Sequence, residues 1–363
     1  MSPAQRKRKP SQSVPAGSAD TSADLMRLIE IVGAFSRQTI CVIGDFVVDE
    51  FVSGEISRVS REAPVLILRY RRREVHPGGA ANAVNNLADL GARVLPVGIV
   101  GDDEGGRSLL DYFRAKGLNV SGVQRAREWT TALKTRYLAG WTHTTEQQVL
   151  RVDREPPADV PERVQQGIRR AARRLARDAD AVLISDYGLG AATPALAAGI
   201  LRGLGSKRVM LDSRYRMLEY RDAGVTAATP NEAELEAAYR SSVGSDAAKL
   251  EQLGGRAMAD LDLDALVVTR GKDGLSLFER TVQGSHPPRH IPIYGSDTPV
   301  DVTGAGDTVI AVFTLAVAAG ATYLEAAHLA NYAGGIVVMK PRTATVTRAA
   351  LESALRREAT AQR

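Results

Sequence analysis

The stretch Asp301-Val302-Thr303-Gly304-Ala305-Gly306-Asp307 runs directly into an apolar segment at residues 308–320. We interpret it as a turn of small residues that opens onto a helix. Such a turn leaves the amides of Gly304, Ala305 and Gly306 free, and the helix dipole adds partial positive charge at the same point. The stretch therefore predicts an anion-binding site.

Asp307 lies beside this predicted site, where a carboxylate would repel a bound anion. It makes better chemical sense as a base that takes a proton from a nucleophile attacking a phosphoryl group. A glycine-rich aspartate turn before a helix is also ordinary helix capping. The stretch alone therefore leaves a phosphotransferase and a plain capped turn as alternatives.

The composition is that of an ordinary globular chain. Its 363 residues, 44% hydrophobic and 25% charged, are enough to bury one large core or two smaller ones. The single cysteine, Cys41, lies in an apolar run and predicts a packed thiol in a reducing, cytoplasmic compartment. No apolar stretch has the length of a membrane helix or the character of a signal peptide, so we expect no membrane partner.

The net charge of +5 is concentrated near the N-terminus. The basic run at residues 6–9 outweighs Asp20, and the rest of the chain is nearly neutral. We predict that residues 1–23, rich in Ser, Pro and Ala, form a disordered basic tail. A tail of this kind can bind a polyanion, but the nearly neutral body gives no reason to expect a nucleic-acid partner.

Beyond the tail, short apolar runs alternate with helical patterns. Strands are predicted at residues 39–43, 94–100, 181–185, 208–211 and 265–269. Helices are predicted at residues 80–90, 106–116, 161–177, 194–204, 232–239 and 246–259. This order predicts an α/β domain over residues 24–348, with a mostly parallel sheet between two helical layers, followed by a helix or tail at 349–363.

Residues 50–75 break this alternation. They contain period-two stretches and several arginines, with no helix between the runs. The pattern predicts either a small β lid that also serves as a dimer surface or an extension of the sheet edge.

Several polar groups follow predicted strands, where open α/β sheets bind their ligands. Asp45 and Asp49 follow the first strand and are placed to accept hydrogen bonds from sugar hydroxyls, or to act as turn and cap residues. The turn at residues 77–82 exposes bare backbone before a helix and suits close approach of a polyol.

Two further turns have both a ligand-binding and a local interpretation. Asn231 and Glu234 share one helical face and suit water or Mg²⁺ near a nucleotide's phosphates, with Asn231 as a simple N-cap as the alternative. The turn at residues 269–274 either lies along phosphates or forms a hairpin.

Taken together, these residues resemble the ribokinase-like carbohydrate kinases of the PfkB family. The resemblance covers residues 39–346 and includes both family motifs, Gly78-Gly79-Ala80-Ala81-Asn82 and the stretch at residues 301–307. It implies a three-layer α/β/α fold with a small β lid, and a homodimer formed through that lid.

The resemblance also implies the parts of a catalytic site. Asp307 would be the base, and the amides of Gly304, Ala305 and Gly306 would form an anion hole. The residues implied to hold the sugar are Asp45, Asp49, Gly78, Gly79 and Asn82.

ATP and Mg²⁺ are the implied cofactors. Asn231 and Glu234 would serve the Mg²⁺ ion through water, and Asp301 and Thr303 would border a monovalent cation such as K⁺. The residues implied to contact the nucleotide are Thr269, Gly271 and Gly274 on the phosphates and Asn331 on the adenine or ribose.

Within the family, the chain looks most like the D-glycero-β-D-manno-heptose 7-phosphate kinases. The matching segments are residues 57–65, 134–136, 147–153 and 185–188. The basic residues that these segments and their surroundings offer to a phosphorylated sugar are Arg58, Lys134, Arg136 and Arg151.

Three departures from the subgroup concern ligands. Leu189 and Arg214 stand where lysines are usual, so either another phosphosugar is the substrate or Arg214 compensates. Arg342 stands in a loop that usually has Gly beside the cation, and we expect it to displace or replace the ion.

Two alternatives to this assignment remain. One is a kinase of another sugar, sugar phosphate or nucleoside, and the other is a sugar- or nucleotide-binding regulator without catalysis. Relatives that carry a second, nucleotidyltransferase domain place it after the kinase. Only 17 residues follow Val346, so we expect no such domain here.

Overall fold

The computed structural model describes residues 21–141, 146–205, 207–244, 246–281, 284–285 and 287–361. Most of the predicted basic tail, residues 1–20, lies outside this range. The first helix begins at Thr21, so the predicted tail boundary at residue 23 falls inside a helix.

Strands and helices alternate along most of the chain. The strands are β1 Thr39–Gly44, β2 Phe46–Val59, β3 Leu66–Gly79, β4 Arg93–Gly101, β5 Val123–Ala126, β6 Ala132–Gly140, β7 Gln147–Arg154, β8 Ala181–Asp186, β9 Arg208–Ser213, β10 Ala227–Ala228, β11 Ala265–Thr269, β12 Leu275–Thr281, β13 Gly284–Ser285 and β14 Arg289–Ile291. The helices are α1 Thr21–Gly33, α2 Ala80–Asp89, α3 Glu104–Ala115, α4 Glu162–Arg177, α5 Pro194–Leu201, α6 Glu232–Tyr239, α7 Ala247–Asp260, α8 Ala305–Ala318, α9 Tyr323–Val337 and α10 Arg348–Ala361.

Ten of these strands form one large sheet in the order β13-β12-β11-β10-β9-β8-β1-β4-β5, with β14 also pairing to β12. Every pair from β11 to β5 is parallel, and the strands beyond β11 are antiparallel. The predicted strands and helices of this region lie within a few residues of the observed ones. The predicted three-layer α/β/α fold is confirmed.

The large sheet is apolar on both faces. Ile40 and Val42 pack into a core with α1, α2, α3, α8, α9 and α10, and Cys41 and Ile43 pack into a second core with α4, α5, α6 and α7. Successive side chains of a strand point to opposite faces, so runs rich in Val and Ile suit a sheet covered on both sides. Burial raises the pKa of the Cys41 thiol to about 12, in keeping with the predicted packing role.

A second sheet of four strands, in the order β3-β2-β6-β7, forms the lid. The sequence predicted only residues 50–75 here, but β2 and β3 are longer than that, and β6 and β7 complete the sheet. The parallel pairing of β2 with β6 joins segments far apart in the chain, a contact that local periodicity does not reveal. No helix in the described part of the chain is both long and apolar enough to cross a membrane.

Candidate active site

Three adjoining cavities lie along the carboxyl ends of β8, β9, β10 and β11. We call them the nucleotide cavity, the central cavity and the cationic cavity, with volumes of about 250, 430 and 240 Å³. Thr269, Val302 and Gly306 line both the nucleotide and the central cavity. Tyr187 and Arg214 line both the central and the cationic cavity. The three cavities therefore form one trench across the edge of the sheet.

The N-terminus of α8 forms one wall of the central cavity. Gly304 has a φ of +78° and lies against Asn82, whose Nδ2 donates to the Gly304 carbonyl at 3.2 Å. A methyl group added at Gly304 would lie 2.5 Å from that Nδ2 atom, so both the backbone conformation and the close contact favour glycine here.

One of the three amides expected to be free has a partner. The Ala305 N–H donates to the Val302 carbonyl at 3.2 Å, because the turn closes on itself before the helix begins. The Gly304 and Gly306 amides make no hydrogen bond within the described chain. The anion site predicted from three amides therefore has two uncommitted donors.

Asp307 lies in the first turn of α8 and is 4% exposed. Its Oδ1 accepts a hydrogen bond from the Tyr187 hydroxyl at 2.6 Å, and its Oδ2 accepts one from Asn82 Nδ2 at 3.0 Å. Burial raises the pKa of the carboxyl to about 7, although both hydrogen bonds oppose that shift by stabilising the charged form. A carboxylate with a pKa near neutrality is suited to accept a proton.

Tyr187 was not among the site residues chosen from the sequence, although residues 185–188 were recognised as a subgroup motif. Its ring lies beneath Lys134, whose Nζ is 5.3 Å from the ring centroid. The signal available in the sequence was the motif's position directly after β8, where ligands of open sheets bind.

Asp45 has a different environment from the one predicted. Its two carboxylate oxygens accept hydrogen bonds from four backbone amides in the loop after β8, those of Tyr187, Leu189, Ala191 and Ala192. Asp45 is 2% exposed and lines none of the three cavities. Burial raises its pKa to about 6 despite these donors.

Asp49 lies on β2, at the base of the lid. Arg136 Nη1 donates to its Oδ1 at 2.6 Å and the Thr343 hydroxyl donates to its Oδ2 at 3.1 Å. Gly78 packs so closely against this carboxylate that any larger side chain would overlap it. Gly79, with a φ of +55°, begins α2 and so places Asn82 one turn inside that helix.

The central cavity holds an excess of acidic groups. Burial raises the pKa of Asp212 well above its usual range, and the nearby Glu234 and Asp307 carboxylates raise it further. Burial also raises the pKa of Glu234, and Arg214 opposes the shift of both groups. A cavity in which carboxylates repel one another suits a bound cation.

Asn231 and Glu234 form a capping box at the start of α6. Asn231 Oδ1 accepts from the Glu234 N–H at 2.8 Å, and Glu234 Oε2 accepts from the Asn231 N–H at 2.9 Å. The alternative that the sequence left open, N-capping by Asn231, is therefore present. Both side chains nevertheless line the central cavity.

The nucleotide cavity gathers the residues predicted to contact the nucleotide. Thr269, Gly271, Gly274 and Asn331 all line it, and Gly271–Asp273 forms a short 3₁₀ turn between β11 and β12. Two charged residues of this cavity, Lys272 and Asp297, were not proposed as site residues. Lys272 was within reach of sequence reasoning, since it belongs to the predicted turn.

The cationic cavity contains three of the basic groups discussed for a phosphorylated sugar, Lys134, Arg151 and Arg214. Leu189 also lines it. Arg136 is buried against Asp49, and Arg58 is exposed on the lid, so neither lines the cavity. Burial lowers the pKa of Lys134.

The side chain of Arg342 lies away from the predicted cation site. Asp301 accepts backbone N–H groups from Thr303 at 2.9 Å and from Arg342 at 2.8 Å. The Arg342 guanidinium lies 2.7 Å from Glu74 and 3.4 Å from Glu146 of the lid. The Arg342 guanidinium is therefore paired with lid carboxylates. It does not replace a cation at Asp301, contrary to one of the two expectations for this residue.

Comparison with known proteins agrees with this geometry. Residues 37–350 match the model of the pfkB family carbohydrate kinases. The bifunctional protein HldE of Geobacter metallireducens is 41% identical over 309 residues, which are 84% of this chain and 60% of that protein. HldE of Geobacter sulfurreducens is 38% identical over 315 residues, 86% of this chain and 62% of that protein.

The chain thus spans about 60% of the length of these curated relatives. Among solved structures, the ribokinase of Arabidopsis thaliana in complex with ribose and ATP superposes with a TM-score of 0.68 at 18% identity, covering 88% of this chain and 98% of that one. That likeness shows the fold. With the family model matching most of its length, the chain belongs to the pfkB family of carbohydrate kinases, phosphotransferases that act on a sugar hydroxyl.

Proposed function

We propose that this chain transfers the γ-phosphoryl group of ATP to the anomeric hydroxyl of D-glycero-β-D-manno-heptose 7-phosphate, with Asp307 as the base. The observation that carries the proposal is the position of Asp307. A buried carboxyl with a pKa of about 7 lies in the central cavity, between a cavity lined by a glycine-rich turn and a cavity in which basic side chains outnumber acidic ones. The basic side chains of that last cavity are Lys134, Arg151, Arg154 and Arg214, and the acidic ones are Asp153 and Glu155. A phosphoryl donor and a phosphorylated acceptor fit these two sides.

The cationic cavity supports a substrate that already carries a phosphate. Lys134, Arg151 and Arg214 line it, and such groups bind phosphate through charge-assisted hydrogen bonds. Arg214 and Leu189 line the same cavity, so the charge of Arg214 is available where Leu189 offers none. This supports compensation by Arg214 for the absent lysine.

The remaining residues complete the acceptor and donor sites. Asp49 and Asn82 would contact the sugar hydroxyls beside Asp307, and Gly78 and Gly79 would permit the close approach. Both Asp49 oxygens already accept hydrogen bonds, from Arg136 and Thr343, so a sugar hydroxyl would use a remaining lone pair. The nucleotide would extend from Asn331 past Thr269, Gly271 and Gly274 toward α8. The Gly304 and Gly306 amides would face the transferring phosphoryl group. The Ala305 amide would contribute only by breaking its 3.2 Å hydrogen bond to the Val302 carbonyl.

Mg²⁺ fits the central cavity as an ion held through water. No group of three or more His, Cys, Asp or Glu side chains in the described chain is arranged to hold a metal directly, whereas Glu234 and Asn231 line the cavity beside Asp212. Mg²⁺ commonly keeps several waters and binds one or two carboxylates together with the phosphates of its substrate. When bound, it would neutralise charge on those phosphates.

In the reaction, Asp307 accepts the proton of the sugar hydroxyl as that oxygen attacks the γ-phosphorus. The bond from the γ-phosphorus to the bridging oxygen of ATP breaks, and ADP leaves. Asn82 and Tyr187 hold the two carboxylate oxygens in place, so the base needs no reorientation. The amides at the start of α8 stabilise charge that develops on the phosphoryl oxygens.

The test is ATP-dependent ADP release with Mg²⁺ over a panel of acceptors: heptose 7-phosphate, fructose phosphates, ribose, unphosphorylated hexoses and nucleosides. Heptose 7-phosphate should be turned over selectively. Asp307→Asn should reduce turnover by roughly a hundred- to ten-thousandfold while ATP binding persists, because a general base contributes that much. Unchanged turnover would exclude Asp307 as the base.

Turnover of another acceptor alone would support the kinase reaction but assign it a different substrate. Leu189, in place of the usual lysine, is the residue that favours this second candidate function. No ADP release with any acceptor would contradict the proposed kinase activity itself. The three outcomes are therefore distinguishable.

We also propose a homodimer formed through the lid. Apolar side chains are exposed on three of its four strands: Val59 of β2 is 58%, Leu66 of β3 46%, and Leu150 and Val152 of β7 are 55% and 50% exposed. Exposed apolar groups of this density on one small sheet are typical of an interface. Light scattering should give twice the chain mass, and Leu150→Glu should halve it; a monomeric wild type would exclude the dimer.

A further inference from the structure

Tyr187 makes contacts on two sides. Its hydroxyl donates to Asp307 Oδ1 at 2.6 Å, the shorter of the two hydrogen bonds to that carboxylate. Its ring packs against Lys134 of β6, whose Nζ lies 5.3 Å from the ring centroid. A single side chain of the large sheet thus touches both the base and a basic group of the lid.

The loop that contains Tyr187 is bound to the Asp45 carboxylate. The Tyr187 N–H donates to Asp45 Oδ2 at 2.8 Å, and three further amides of the loop donate to the same carboxylate. On its other side, the ring lies close to Gly79, where an added methyl group would be 3.4 Å from Tyr187 Cδ2. The Tyr187 hydroxyl is therefore held at Asp307 by a loop whose backbone is bound to Asp45.

We infer that Tyr187 is a positioning residue for the base: its hydroxyl orients the Asp307 carboxylate and favours the ionised form, and its ring supports Lys134 against the phosphate of the acceptor. This inference rests on the proposed function, since it assumes that Asp307 is the base. It gives Asp45 a role as well, as the anchor of the Tyr187 loop.

Other charges also face Asp307. The Asp49 carboxylate on β2 and the Asp212 carboxylate at the end of β9 disfavour its ionised form, and Lys134 favours it. Glu234 and Arg214 line the same cavity with opposite charges. Among these, Tyr187 and Asn82 are the groups that hydrogen-bond to the Asp307 carboxylate in the described chain.

Removing the Tyr187 hydroxyl should therefore raise the pKa of Asp307 further. The base works only when ionised, so activity is lost as pH falls through this pKa, and a higher pKa moves the loss to higher pH. A hydrogen bond to a charged group corresponds to a shift of roughly one to two pH units.

The experiment compares Tyr187→Phe, Tyr187→Leu and the matched control Tyr239→Phe, which removes a hydroxyl that also donates to a carboxylate, Asp260 at 3.0 Å, but lines none of the three cavities. The acid limb of kcat/KM should move up by about one pH unit in Tyr187→Phe, so that activity falls about fivefold at pH 7 and recovers by pH 9. Tyr187→Leu should show that shift and, in addition, a KM for the sugar substrate raised roughly three- to tenfold, because the cation–π contact is lost. Tyr239→Phe should show neither change, and the KM for ATP should be unchanged in all three.

An acid limb that stays in place in Tyr187→Phe, or an equal loss of activity at every pH, would overturn the inference while leaving the kinase activity intact. A second measurement does not depend on activity. In protein labelled at the aspartate carboxyl carbons, the resonance missing from Asp307→Asn identifies Asp307, and its titration midpoint should rise in Tyr187→Phe. An unchanged midpoint overturns the inference even if no acceptor is turned over.

Discussion

The two sheets of this protein are built differently. All six residues of β8, in the middle of the large sheet, are buried, whereas all eight residues of β7, at the edge of the lid, are exposed. The large sheet lies between two apolar cores, and the lid has polar and exposed side chains along much of its length. One sheet is stabilised mainly by the burial of apolar surface, and the other is not.

Charge pairs join the lid to the body. Arg73 of β3 lies 2.8 Å from Glu104 of α3, and Arg342 of the body lies 2.7 Å from Glu74 of β3. Such pairs contribute little where they are exposed and are weakened by salt. Asp307, the proposed base, thus belongs to the large sheet and its helices, while the basic groups of Lys134 and Arg151 belong to the more weakly attached lid.

The largest expected effect comes from a comparison of the same Val→Ala substitution in the large sheet and in a turn of the lid. Val182→Ala, in β8 at 0% exposure, should reduce the free energy of unfolding by about 2–3 kcal/mol through lost burial and a residual cavity. Val65→Ala, in the turn between β2 and β3 at 55% exposure, should reduce it by less than about 0.5 kcal/mol. Urea unfolding at 25 °C measures both.

Equal losses at the two positions would show that the lid contributes to the cooperative core, against the comparison above. A change in the urea dependence of the Val65→Ala transition would show the same in another way, because that slope reports the surface exposed on unfolding. Neither is expected for an exposed turn residue.

The difference in burial between the two sheets also decides how much of the fold the sequence could predict. Strands such as β8 and β11 are buried on both faces, so their sequences are short apolar runs that indicate strands directly. β7 has no such run. Its partner β6 pairs in turn with β2, far away in the chain, and the lid was therefore predicted at half its true size.

The site shows a similar limit. Gly304, Gly306 and Asp307 lie within one turn of chain, and the sequence brought them together correctly. The hydrogen bond between Tyr187 and Asp307 joins residues 120 positions apart, and no local pattern predicts it. Asp45 follows β1 as a sugar ligand would, but only the folded chain shows that four amides occupy its oxygens.

A smaller effect tests whether the base depends on a rigid body. Gly304→Ala should reduce turnover roughly ten- to a hundredfold, because the added methyl group displaces Asn82, which holds Asp307. Gly320→Ala is the control: its φ is also positive, at +89°, but an added methyl group meets nothing within 4 Å. It should cost about 1 kcal/mol of stability and leave turnover unchanged.

The comparison between the two glycines separates strain from displacement. Equal losses of turnover would mean that strain at either end of α8 disturbs the site, and that Asn82 has no special part. Normal turnover in Gly304→Ala would mean that Asp307 works without Asn82 in its present place. Steady-state kinetics with a thermal melt of each variant decides between these results.

The smallest expected effect concerns the attachment of the lid. Arg342→Met keeps an unbranched side chain but removes the charge that faces Glu74 and Glu146. We expect the KM for the sugar substrate to rise about two- to fivefold, equivalent to less than about 1 kcal/mol, with kcat nearly unchanged. The control is Arg163→Met, which removes an exposed partner of Glu128 in an ion pair between α4 and the segment before β6 and leaves Glu74 and Glu146 untouched.

Salt sharpens this last prediction. If charge pairs hold the lid in place, the KM of the wild type should rise with ionic strength and approach that of Arg342→Met, which should respond less. Arg163→Met should follow the wild type throughout. A KM that is equal in wild type and Arg342→Met at low salt would mean that the lid is held by its packing, with Phe51, 5.8 Å from the Arg342 guanidinium, as the first residue to examine.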